Sequence, residues 1–222
     1  MLYKKERNFF LKYRETLLTA LVMLACLALF TFFPTTGASQ KVTSGIVFLG
    51  LLPVLYLKFV LKKKLKNFGW QLGDWEVGLI FSGIYLSLAL MIAYILFHYT
   101  SFPKEYVLPA SIIHNFWYFL AYELFLVGAF AALYEIFFRG FVMLLLAPKA
   151  GFYAIFYQFF LLLLFFWITD NLTWTNAPLL ITAAFSGLTT FKSQSLLYSF
   201  VASLFFLIIL DALVIKFVYL SL

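Results

Sequence analysis

The chain has 222 residues, of which 65% are hydrophobic, 22% aromatic and only 11% charged. A soluble domain of this size cannot hide that much apolar surface, so the composition places the chain in a lipid bilayer. The net charge of +7 would suggest nucleic acid in a soluble protein. Here it reads as positive-inside bias, and no nucleic-acid partner is expected.

Runs such as "LLTALVMLACLALFTFF" do not alternate apolar with polar, which excludes a β-barrel and leaves helices. The predicted fold class is an all-α polytopic membrane protein, a bundle of about seven transmembrane helices (six to eight), with 1–222 forming a single integral membrane domain. Residues 1–16 form a basic N-terminal segment. The spans then fall at about 17–33, 42–61, 77–98, 116–134, 152–169, 177–191 and 195–215. The first has a basic flank and small residues after it, "TTGAS". Its apolar core is longer than a usual signal-peptide h-region, so it reads as a retained span. Gly50 and Pro53 are candidate interruptions of the second span. Residues 62–76, "KKKLKNFGWQLGDWE", form a basic amphipathic loop whose Trp70 and Trp75 suit an interface. The apolar character of the fourth span continues past its charges to about Leu146, where "APK" stops it. The sixth span is at the lower length limit, and if it is re-entrant the C-terminus changes side.

With the N-terminus in the cytoplasm, every Lys and Arg except Lys41, Lys104 and Lys216 lies on the cytoplasmic side, which sets the expected orientation. The expected location is the bacterial cytoplasmic membrane. Cys26 stands alone in an apolar run, so neither a disulfide nor a cysteine metal site forms within one chain.

A charge at mid-membrane costs about 2.5–3.5 kcal/mol on insertion scales, so each one needs a partner or a purpose. Glu135 and Arg139 in "LYEIFFRGFVM" are spaced i,i+4 and meet on one helix face, where a structural brace is the leading reading. Glu123 lies 3.3 ideal turns earlier and points elsewhere, with Lys104 or a tyrosine as its expected partner. Asp211 reads as an interface group near the end of the last span. His98 and His114 flank one outer loop; two ligands without a carboxylate make a weak metal site, and they read as interfacial histidines. HExxH, GxSxG and Walker motifs are all missing.

The stretch Glu135, Phe138, Arg139, Gly140 resembles the first motif, EExxFRG, of the CPBP intramembrane metalloproteases, the family of CAAX prenyl endopeptidases, Abi proteins and bacteriocin-immunity proteins. The entry "GWQLGDWEVG" at 69–78 is similar to that family as well. The resemblance implies a CPBP-like core over 116–215. It also implies four further site positions: Tyr134 in place of the second glutamate, Phe166 in place of the second-motif histidine, and Ser203 and Leu207 in place of the third-motif His and Asn. No histidine follows His114. A metal-activated water needs about three protein ligands, and a metal-free site needs a general base with an oxyanion partner. The expectation is therefore a proteolytically inactive relative without cofactor. Its former active-site groove would hold a partner helix, a lipid chain or a lipidated peptide, in an immunity or accessory role. Two alternatives stay open: an active zinc endopeptidase with a rearranged site, and a small transporter or assembly factor.

Overall fold

A computed structural model describes residues 2–219, with side chains described from Arg14 onward. The basic side chains expected at Lys4, Lys5, Arg7 and Lys12 lie outside that set. All regular structure among the described residues is helical. Seven main helices cover the stretches expected to span: α1 (Leu2–Phe32), α2 (Ala38–Val60), α3 (Trp75–Tyr99), α4 (Phe116–Ala150), α5 (Tyr153–Ile168), α6 (Ala177–Ser193) and α7 (Leu196–Tyr219). Five of them, α1 from Arg14, α2, α3, α4 and α7, are long and apolar enough to cross a bilayer. α5 is a shorter apolar helix of 16 residues, and α6 has 17. The chain is thus a helical integral membrane protein.

Residues 1–65 and 66–222 form two compact units. In the first, α1 packs along α2. Lys63 pairs with Glu15 at 2.7 Å, and Tyr56 meets Thr19 at 3.1 Å. Proline removes a backbone donor and crowds the preceding turn. Here α2 is not broken: it widens into π-helical turns at Ile46–Leu51, and Pro53 follows in an α-helical turn.

The second unit carries α3 to α7. Three of these helices, α3, α4 and α7, open on a side-chain cap. Asp74 accepts from the Val77 N–H before α3, Asn115 from Trp117 and Tyr118 before α4, and Ser195 from Leu197 before α7. α4 is the most enclosed of the five apolar helices: 61% of its membrane window is buried, against 17% for α3. That ranking makes α4 the axis of the unit. α6, the least secure span in sequence, is an interior helix packed against α3, α5 and α7. Its buried face carries Thr182, Ser186, Thr190 and Ser193. Those small polar residues lower its hydropathy and let helices approach closely.

The loop before α3 is strapped to the α6–α7 turn. Asp74 N–H donates to the Ser193 carbonyl at 2.9 Å, Leu196 N–H to the Gly69 carbonyl at 3.0 Å, and Gln71 Nε2 to the Gln194 carbonyl at 3.0 Å. Gly73 (φ +59°) is essential to this docking, because a Cβ there would collide with the Ser193 carbonyl oxygen. Gly140 is needed for a second close approach: its missing Cβ leaves room for the Phe68 ring, which would otherwise lie 2.7 Å away.

Gly73→Ala should therefore undock the strap and lower stability by ~1–3 kcal/mol, the scale of a strained backbone site. Gly83→Ala meets open space and should change stability by less than ~1 kcal/mol. Thermal unfolding of the two variants in one detergent gives the comparison.

Candidate functional site

The charged stretch Glu135–Leu144 is itself π-helical. Such wide turns are uncommon and often mark functional positions. They place Glu135, Phe138, Arg139 and Gly140 inside the unit, each nearly or wholly buried. Arg139 Nε lies 3.7 Å from Glu135 Oε1, with both side chains no more than 3% exposed. The expected brace is present, yet hydroxyls do most of the close bonding. Arg139 Nε donates to Ser186 Oγ at 2.7 Å, and Nη1 donates to the Tyr134 carbonyl at 3.3 Å. Ser199 Oγ donates to Glu135 Oε2 at 2.8 Å, and Ser203 Oγ to Oε1 at 3.2 Å.

The donor count fixes the direction of these bonds. A serine has one O–H to give. Ser203 spends it on Glu135, so Tyr85 OH, 2.9 Å away, donates to Ser203. Ser199 Oγ faces both Glu135 Oε2 at 2.8 Å and the Leu196 carbonyl at 3.1 Å; both are acceptors only, so its proton goes to one of them and Thr190, at 2.7 Å, donates to Ser199. Two relays of hydroxyls thus run from α3 and α6 through α7 and end on one carboxylate of α4. Every oxygen of Glu135 is satisfied, as a buried charge requires.

Three of the four further positions singled out in the sequence surround this pair. Ser203 bonds Glu135 directly. Tyr134 stacks on Phe138 (centroids 5.6 Å apart, planes at 8°) and meets Phe166 edge-on at 6.2 Å. One aromatic contact therefore fills the two places where the resemblance would put a glutamate and a histidine. Leu207 packs instead into the apolar core with Phe206, Tyr85 and Phe102. Sequence reading missed Ser199, Ser186, Tyr85 and Thr190. Ser195, Ser199 and Ser203 recur every four residues, and that spacing alone marks a polar helix face.

Two spaces adjoin Glu135. One is a cavity of about 10 Å³ lined by Tyr134, Glu135, Arg139, Leu162, Thr182, Ser203 and two other apolar side chains, room for about one water. The other is a groove of about 550 Å³ along Gly69–Leu72, Ala132, Glu135, Ile136, Leu196, Leu197 and Phe200. Its wall is apolar except for Gln71 and Glu135.

The two remaining buried acids depart from expectation. Asp211 is not an interface group. It is 3% exposed and accepts from Tyr106 OH at 2.7 Å, because the loop between α3 and α4 brings Tyr106 down onto α7. Burial, followed by the neighbouring Asp211, pushes the Tyr106 phenol well above the usual tyrosine range, so it remains a neutral donor. Glu123 is fully buried and, among the described residues, pairs neither with Lys104 nor with another cation; its turn packs against α7, which carries Asp211. His98 and His114 are exposed, and His98 rests on the Tyr94 ring. Among the described residues no cluster of three or more His, Cys, Asp and Glu side chains could hold a metal.

Comparison with protein-family models, curated proteins and solved structures finds no match to this chain. Its class rests on the helices: a polytopic helical membrane protein with an ion pair sealed inside its second unit.

Glu135→Ala leaves Arg139 buried without its counter-charge and should cost roughly 3–5 kcal/mol. The paired change Glu135→Gln with Arg139→Gln should cost less than either charge removal alone. A double-mutant cycle read by thermal or denaturant unfolding reports the coupling. Ser199→Ala should cost about 1.5–3 kcal/mol, as expected for a hydrogen bond to a charged group.

Proposed function

We propose that this protein is a non-catalytic, CPBP-like membrane protein whose groove beside Glu135 receives the apolar chain of a lipidated peptide. The observation that carries the reading is what surrounds the pair. Among the described residues Glu135 is the only carboxylate there, and its oxygens are occupied by Ser199, Ser203 and Arg139. Tyr134 and Phe166 pack ring to ring beside it. One carboxylate, two serines and a guanidinium give neither a set of metal ligands nor a free general base.

The groove, in contrast, has the size of a ligand site and an apolar wall. Trp70 at its rim is half exposed, which suits an entry at the membrane interface. An aliphatic or prenyl chain matches that lining, and the polar peptide attached to it would stay at the rim. Such binding suits an accessory or immunity role, in which a lipidated peptide is captured rather than cut.

The test uses purified full-length protein in lipid nanodiscs. A fluorescent farnesylated peptide should bind saturably, and the same peptide without its lipid should not. Ala132→Trp, which fills the groove, should weaken binding by at least about tenfold, equivalent to ~1.4 kcal/mol. The peptide should be recovered intact. Stoichiometric zinc in the purified protein, or cleavage that is lost in Glu135→Gln, would overturn the reading.

A further inference from the structure

A second polar cluster lies apart from the Glu135 pair and from the groove. Glu123 comes from the π-helical turn Tyr122–Val127 of α4, and Asp211 from α7. Glu123 is 0% exposed, and neither of its oxygens meets an N–H or O–H donor of the protein. The turn that carries it packs against α7, where Asp211 is the acid it interacts with. Asp211 has one donor, the Tyr106 hydroxyl at 2.7 Å. The groups facing the two acids are Tyr106 from the α3–α4 loop and Tyr122 from α4. Among the described residues neither acid forms an ion pair with Lys, Arg or His.

This arrangement leaves a donor missing. Ionised carboxylates only accept hydrogen bonds, so two of them in contact repel and leave Glu123 unsatisfied in an apolar interior. A single proton removes both problems. It turns one carboxyl into a donor toward the other, in a short charge-assisted O–H···O bond. The one remaining negative charge is then shared by the pair and held by the Tyr106 hydroxyl. Two carboxyls in contact resist double ionisation for the same reason elsewhere in proteins.

We infer that Glu123 and Asp211 form a one-proton site in the membrane interior, binding a single proton between a carboxyl of α4 and a carboxyl of α7. The site also ties two of the long apolar helices together. Its ligand is the proton itself; taking up a small cation in its place would require releasing that proton.

Infrared spectroscopy of the full-length protein in lipid vesicles tests this directly, through the C=O stretch that only a protonated carboxyl gives. At neutral pH the solvated carboxyls are ionised, and the wild type should show one carboxyl's worth of protonated band. Glu123→Gln and Asp211→Asn each supply an amide N–H where the proton stood, and each should abolish the band. Glu135→Gln should leave it unchanged, which separates this site from the one beside the groove. A wild-type spectrum without the band, or with the intensity of two carboxyls, would overturn the proposal even if neither amide variant folds. So would a band that survives in both variants. Loss of the band on raising sodium at constant pH would show a cation site instead, and would also overturn it.

Discussion

The second unit is organised by the need to keep a carboxylate and a guanidinium in a medium that solvates neither. An ion pair at 3.7 Å does not by itself offset the loss of water around both groups. The hydroxyls of Ser186, Ser199 and Ser203 supply what water would have supplied, and Tyr85 and Thr190 in turn orient the serines. Each of those side chains comes from a helix that must sit close to α4. The pair thus fixes the places of α3, α6 and α7, and the small residues on α6 follow from that demand rather than from any preference for the bilayer.

The two buried acidic centres solve one problem in different ways. Glu135 has a cation on its own helix one turn away, with serines across the interface. Glu123 has neither, and faces another acid. A centre satisfied by fixed donors is insensitive to its surroundings. A centre that lacks a donor must take one from the medium. The same helix, α4, carries both, each in a widened π turn.

The helices were legible from hydropathy because each long apolar run is local. Glu135 and Arg139 were legible as a pair because i,i+4 spacing is local too. What the sequence hid depends on chain segments far apart. Asp211 looks like an interface residue until the loop carrying Tyr106, 105 residues earlier, is laid over it. Ser199 and Ser203 show their four-residue spacing in sequence, but nothing local says that this face meets Glu135. The sixth span is marginal in sequence because its apolar run is short, and its small polar residues Thr182, Ser186, Thr190 and Ser193 face the interior. The π turns had no readable signal at all.

The strap between the α3 entry and the α6–α7 turn also sets a timetable for biosynthesis. Gln71 and the Gln194 carbonyl that it grips are 123 residues apart. At ribosomal speeds of ~5–20 residues per second, that separation takes on the order of ten seconds to synthesise. Within that interval α3 and α4 are made before the helices that satisfy their buried polar groups. Glu123 and Glu135 emerge well before Ser199, Ser203 and Asp211 exist to receive them. Until α7 arrives, the nascent chain holds Glu135 with Arg139 but without its serines, and Glu123 without Asp211, so the strap of Gly69–Asp74 on Ser193–Leu196 can close only as α7 begins to emerge.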